Sequence, residues 1–235
     1  MLAWPPPYRI KTHLRAKSIK LHVKTAGLEI TVPPRFDIKT IPDLLEEHSA
    51  WIIKHLSAVI TPIEPVLPTT ISLRACERNW QVRYIQTKIA TTTLMENASQ
   101  ELVLMGATHH QLRCRKILTT WIKDCARLFL EKELYALSQM IGLSYQRLTI
   151  RDQKTVWGSC TSSKNINLNY KLIFLPNILM RYVLIHELCH LKHLNHSKKF
   201  WMLVQQYDPE WKMHRLFLRR VNQYIPAWLS GASVN

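Results

Sequence analysis

The segment VLIHELCHLKHLNHSKKFW, residues 183–201, holds four histidines and one glutamate within eleven residues. The eight residues before the first histidine, ILMRYVLI, are almost wholly apolar, which indicates a buried helix. A buried helix that carries imidazoles and a carboxylate without partners bears a large desolvation cost. We therefore expect the chain to fold so that these side chains surround a common partner, and a metal ion removes the cost.

The pattern His-Glu-x-x-His starts at His186 and ends at His190. On a helix, residues four apart lie on the same face, so the two imidazoles can bind one ion at about 2.0 to 2.1 Å. Glu187 lies about 100° further around the helix, beside the ion rather than on it. From there its carboxylate can accept a proton from a water at the ion.

A third ligand must come from elsewhere in the chain. His193 lies seven residues after His186, about 10 Å along a straight helix, which is too far for a shared ion. His196 can return to the ion only if the helix breaks after His190, and the segment LNHS (194–197) favours such a break. Three histidines with an open fourth position are typical of catalytic rather than structural zinc, so Zn²⁺ is the predicted cofactor.

The spacing of these three histidines is also that of the metzincins. The glycine that metzincins have between the second and third histidines is replaced here by His193, and no methionine turn can be assigned. Both differences argue against a true metzincin.

Charge and cysteine content limit the class of protein. The formal net charge is +16, and residues 151–235 contribute +8 of it, against +4 from each of the other two thirds. A basic surface attracts nucleotides, nucleic acid or acidic substrates, although a solvated surface without a partner has the same composition. Five scattered cysteines predict reduced thiols. Without a signal peptide or a long apolar run, we expect a cytoplasmic protein with no membrane partner.

Local patterns predict an α+β fold with a β-rich N-terminal part, residues 1–108, followed by a helical core, residues 109–235, joined as one continuous domain. The individual predictions are a hairpin over 18–32, a helix over 41–56, an antiparallel strand patch over 71–104, a helix over 108–141 that stops at Gly142, strands on both sides of the loop QKTVWGSCTSSK, a helix over 178–194 capped by Asn177, and further helices capped by Ser197 and by Asp208 with Pro209.

Several segments together resemble the YgjP-like metallopeptidase family, which is distantly similar to the SprT-like proteases. They are TVWGSC (155–160), INLNYKLIFLP (166–176), YVLIHELCHLKHLNHSKKFW (182–201) and the early pattern RIKTHLRAKSIKLHV, LEITVPP and WI. The resemblance implies zinc ligands at His186, His190 and His196, Glu187 as catalytic acid and base, and a zincin-like core whose active-site helix is bordered by an antiparallel sheet.

The resemblance also suggests that Gly158 and Ser159 approach the cleft and contact substrate. A glycine there would admit a substrate backbone, although a turn anchored by Trp157 explains the same residues equally well. The stabiliser of the oxyanion stays open among Tyr170, Tyr207, His193 and His214.

The resulting functional prediction is a zinc-dependent metallopeptidase that acts on a peptide or protein. Two alternatives remain open from the sequence. One is a metal-dependent nucleoside-triphosphate pyrophosphohydrolase, which needs the same activated water, and the other is a nucleic-acid-associated protease of SprT type.

Overall fold

The computed structural model describes residues 4–16, 18–24, 27–60 and 66–230, which belong to two compact units, Met1–Pro65 and Val66–Asn235. Helices and three small sheets occur together, which confirms the predicted α+β class. Within the described ranges, no helix combines the length and the apolar character that crossing a membrane requires. The division of the chain at residue 108 stays a prediction.

The first unit is a three-stranded sheet with two helices. Its elements are β1 (Tyr8–Thr12), β2 (Lys20–Lys24), β3 (Gly27–Val32), a 3-10 helix (Ile38–Thr40), α1 (Ile41–Glu47) and α2 (Ser49–Ile60). The antiparallel pair of β2 and β3 confirms the predicted hairpin, whose residues 25 and 26 lie outside the described ranges. β1 adds to the other edge of β3 in parallel. Leu28, Ile30 and Val32 alternate along β3 into a core shared with both helices.

The predicted helix over 41–56 is two helices in the structure. His48 lies between α1 and α2 with φ −102° and ψ 13°, outside the helical region. This one residue interrupts the helix, and apolar periodicity across it gave no sign of the break.

The second unit holds the remaining elements. They are β4 (Thr70–Leu73), β5 (Arg78–Gln86), β6 (Thr92–Glu96), β7 (Glu101–Gly106), α3 (Gln111–Ile141), β8 (Arg147–Arg151), β9 (Gly158–Cys160), β10 (Asn165–Asn169), α4 (Asn177–His190), α5 (Lys198–Tyr207), α6 (Trp211–Phe217) and α7 (Ala227–Ser230), with 3-10 helices at Arg74–Cys76, Tyr170–Phe174 and Leu218–Tyr224.

The strand patch over 71–104 forms a sheet in the order β4, β5, β7, β6. β5 and β7 are parallel, so the prediction of a wholly antiparallel patch is wrong for this pair. β6 pairs with one edge of β7 in antiparallel fashion. The other edge of β7 is therefore left to β5, and these two strands run in the same direction.

Helix α3 forms the centre of the second unit. Leu118, Ile122, Leu130 and Leu134 are fully buried along one face, at the predicted helical spacing. The helix starts three residues later than predicted. It ends as predicted, because Gly142 takes the left-handed conformation with φ 73° and donates its N–H to the carbonyl of Ser138.

The third sheet has the order β8, β10, β9 and borders α4. β9 pairs with β10 in antiparallel fashion, whereas β8 pairs with β10 in parallel. Within the described residues, β9 has a strand partner on one side only.

Shortening one buried side chain of α3 tests how far the core depends on this helix. Leu130 is 0% exposed, and we expect Leu130→Ala to lower the free energy of unfolding by about 2–5 kcal/mol because a cavity remains. Leu128→Ala is the matched control, since Leu128 is 68% exposed on the same helix and should change stability little. Urea unfolding followed by tryptophan fluorescence compares the two, and equal losses would contradict this assignment of the buried face.

Candidate metal centre

Helix α4 carries the histidine pattern and begins one residue earlier than predicted. Pro176 is its N-cap, and Asn177, the predicted cap, is its first residue. The Asn177 side-chain amide instead donates to the carbonyl of Ala75, 2.8 Å away. The prediction of an Asn177 cap is therefore wrong, because this long-range bond to another segment holds the amide.

The end of α4 brings the third histidine back to the first. The helix was predicted to continue to residue 194 but ends at His190, where the N–H groups of Lys192 and His193 both donate to the carbonyl of Cys189. Nδ1 of His190 lies 3.0 Å from the carbonyl oxygen of His193, and this side-chain hydrogen bond also stabilises the turn. Ser197 then caps α5 by accepting from the N–H of Phe200, as predicted.

The turn brings the Nε2 atoms of His186, His190 and His196 close to one another. Nε2 of His186 lies 3.2 Å from Nε2 of His190 and 3.0 Å from Nε2 of His196. A ring nitrogen has one in-plane hydrogen-bonding position, which cannot serve two neighbours at once. Three nitrogens around a tetrahedral ion at about 2.0–2.1 Å would lie roughly 3.3 Å apart, so the observed arrangement fits a shared metal ion.

The protonation of the rings suits metal binding. His190 donates through Nδ1 to a carbonyl, which leaves the lone pair on Nε2. Burial, with smaller contributions from His190 and His196, lowers the pKa of His186 to about 3, so this imidazole is neutral at physiological pH. Phe200 stacks on His190 with ring centroids 4.4 Å apart, and Trp201 stacks on His196 at 5.4 Å. The aromatic contacts hold the rings in place.

Glu187 is buried between α4 and β9. Its side chain is 5% exposed, and its Oε2 atom has no hydrogen-bond partner within the described structure. Burial raises the pKa of Glu187 to about 8. A buried carboxyl group with a raised pKa and an unpaired oxygen can accept a proton as the carboxylate and donate it as the carboxylic acid, which is the property expected of a general acid and base.

Gly158 is the residue of β9 that faces this carboxylate. A Cβ built on Gly158 would lie 2.6 Å from Oε1 of Glu187, 2.7 Å from its Cγ and 2.8 Å from its Cδ. Ser159, the next residue, accepts a hydrogen bond from the Asn167 side chain at 3.2 Å. The close approach that the glycine allows is thus made by Glu187, whereas substrate contact by Gly158 and Ser159 stays a prediction.

A buried pair that the sequence did not indicate lies next to the histidines. Nδ1 of His214 is 2.8 Å from Oδ2 of Asp208, and the ring of Tyr182 lies between His214 and His186, at centroid distances of 6.2 and 5.9 Å. Asp208 was predicted to cap a helix with Pro209, but α6 begins at Trp211. That cap prediction is wrong because the carboxylate pairs with His214 instead.

The four candidates for oxyanion stabilisation have different surroundings. His193 orients His190 through its backbone carbonyl, and His214 is paired with Asp208. The hydroxyl of Tyr207 donates to the carbonyl of Ile141 at 3.4 Å. Tyr170 is buried under Lys123 and Lys171, whose ammonium groups lie 5.1 and 5.6 Å from its ring centroid. These contacts do not single out one of the four.

The chain was compared with protein-family models, with curated proteins and with solved structures. A family model described as the YgjP-like metallopeptidase domain matches residues 17–226. Among solved structures, the chain is similar to the metallopeptidase zymogen abylysin of Pyrococcus abyssi, with 28% identity over 40% of this chain and 95% of that one and a TM-score of 0.37. It is also similar to the metallopeptidase zymogen jannalysin of Methanocaldococcus jannaschii, with 20% identity over 39% and 94% and a TM-score of 0.35. No curated protein matches.

A double-mutant cycle tests the contact between Gly158 and Glu187. We expect Gly158→Ala to lower the free energy of unfolding by about 1–3 kcal/mol, because the added methyl overlaps the carboxylate. In a Glu187→Ala background the same change should cost much less, since the three overlapping atoms are gone. Equal costs in both backgrounds, measured by urea unfolding, would show that the two residues do not touch.

Proposed function

The chain belongs to the YgjP-like metallopeptidase family, and from this premise we propose that His186, His190 and His196 hold a zinc ion and that Glu187 is the general acid and base of peptide hydrolysis. Membership of the family makes the protein a metal-dependent peptidase that acts on peptides or proteins. The observation that carries the finer proposal is that Nε2 of His186 lies within 3.2 Å of Nε2 of both His190 and His196.

The donor set favours zinc. Three neutral imidazoles are typical zinc ligands and leave a fourth position for water or substrate. His196 is exposed, so the proposed site is open to solvent on that side. A zinc ion held there supplies a Lewis acid that lowers the pKa of a water toward 7 and polarises a carbonyl.

Glu187 performs the proton transfers in the proposed mechanism. Its unpartnered Oε2 accepts the proton of the attacking water as the new C–O bond forms. The same carboxylic acid then donates this proton to the amide nitrogen as the C–N bond breaks, which releases an amine and restores the carboxylate. The absence of a Cβ at Gly158 leaves space for the Glu187 side chain.

The free edge of β9 is the proposed docking edge for the substrate. β10 pairs with one side of β9, and no described strand covers the other. An extended peptide that pairs with such an edge satisfies its backbone hydrogen bonds and is held in a fixed register. Because Gly158 starts β9 beside Glu187, a peptide on this edge passes the carboxylate. Neither a nucleotide nor a nucleic-acid substrate has a comparable observation in its favour, and both stay predictions.

The proposed ligand set predicts the metal content of two variants. Purified protein should hold about one zinc ion per chain by elemental analysis, and His196→Ala should lower this strongly because one of three ligands is lost. His193→Ala is the matched control, since it removes a neighbouring imidazole but keeps the backbone carbonyl that orients His190. Equal zinc content in His196→Ala and wild type would exclude His196 from the ligands.

The role of Glu187 predicts a variant that binds metal but turns over slowly. Glu187→Gln should keep its zinc and lower peptide hydrolysis by about two to four orders of magnitude, because the amide cannot accept the proton. Glu131→Gln, at an exposed position on α3, should leave the rate unchanged. Cleavage of a denatured protein substrate is followed by mass spectrometry, and the same samples are tested for pyrophosphate release from nucleoside triphosphates. Full peptidase activity in Glu187→Gln would remove Glu187 from the mechanism.

A further inference from the structure

The second unit contains a cavity of about 580 Å³. Neither the three proposed metal ligands nor Glu187 is among the residues that line it. Helix α3 forms one wall, and Tyr170 and Leu229 contribute to the others. Its volume is in the range of sites for small organic molecules, about 300–1,000 Å³.

Arg115 makes this cavity unusual. The residue lines the cavity, is 4% exposed, and has a buried Nη2 atom without a hydrogen-bond partner. Within the described part of the chain, no carboxylate forms an ion pair with it. A guanidinium stays charged when buried, and proteins seldom bury one unpaired because the lost hydration is not recovered.

The other charged groups at the cavity do not neutralise Arg115. Lys116 and Lys123 line it as well, and both carry the same sign of charge. Asp152 is the acidic lining residue, but its carboxylate oxygens lie 3.5 Å from Nζ of Lys123 and 3.1 Å from Nζ of Lys171. The cavity therefore keeps an excess of positive charge with one guanidinium unpaired.

The two threonine hydroxyls at the cavity are engaged within helix α3. Thr119 donates to the carbonyl of Arg115 at 2.8 Å, and Thr120 donates to the carbonyl of Lys116 at 3.0 Å. The cationic donors at the cavity are Arg115 and Lys116, together with Lys123, which also pairs with Asp152. Leucine side chains at positions 112 and 229 add apolar surface to the same walls.

We propose that this cavity binds a small organic oxyanion, a carboxylate or a phosphate monoester with an apolar group, that pairs with Arg115. The planar guanidinium matches both kinds of oxyanion through two parallel N–H···O bonds. Lys116 and Lys123 add charge, and the leucines receive the apolar part. This site is separate from peptide hydrolysis and does not depend on the identity of the metal.

Calorimetric titration of the full chain tests the site with matched probes. Benzoate represents the carboxylate source, phenyl phosphate the phosphate source, and benzamide is the uncharged control at the same ionic strength. At least one of the two anions should bind at millimolar concentration or below, whereas benzamide should not. Arg115→Met, which keeps an unbranched apolar side chain and removes the guanidinium charge, should weaken this binding about tenfold or more.

Two further variants separate the cavity from other causes. Lys132→Met removes an exposed charge from α3 about 25 Å along the helix from Arg115 and should leave binding unchanged. Lys116→Met changes a lining residue that is exposed, so it should weaken binding even if Arg115→Met does not fold. The proposal is overturned if neither anion binds the wild type, if binding is equal in the cavity variants and the wild type, or if it is lost in His196→Ala instead.

Discussion

The turn that ends α4 is the constraint on which the metal centre depends. If the helix continued straight past His190, His196 would lie about 15 Å along its axis from His186, and the two could not share an ion. The tight hydrogen bonds to the carbonyl of Cys189 stop the helix, and the bond from His190 to the carbonyl of His193 couples the same turn to a ring of the site. One local structure therefore sets both the position of His196 and the free lone pair of His190.

The third sheet contributes to the site through the missing Cβ of Gly158 and the edge of β9 that no described strand covers. Glu187 points toward β9, and only a residue without a Cβ leaves room for its carboxylate there. The same position starts a strand whose second edge is unpaired within the described residues, so the carboxylate lies where an extended chain could be added. Packing of helix against strand, rather than a hydrogen bond, holds Glu187, and this leaves an oxygen free for chemistry.

The sequence allowed the local features of the site to be predicted. The helical face of His186 and His190, the cap at Ser197 and the stop at Gly142 depend on residues within one or two turns of each other, and their signals are short motifs. The return of His196 was predictable because the histidine spacing makes sense only with a break in the helix. The end of that helix was placed four residues too late, since the hydrogen bonds that stop it leave no signature in residue type.

Contacts between distant segments were not predictable in this way. The parallel pairing of β5 with β7, the amide bond from Asn177 to Ala75 and the pairing of Asp208 with His214 all depend on where the chain returns after a turn. Arg115 is the clearest case, because no pattern in the sequence singled it out, whereas the fold buries it. Glu187 and Arg115 are thus two buried ionisable groups, each with an atom left unpaired. A fold gains nothing in stability from such groups, so each one indicates a partner from outside the chain. For Glu187 the proposed partner is the reacting water, and for Arg115 it is an anion.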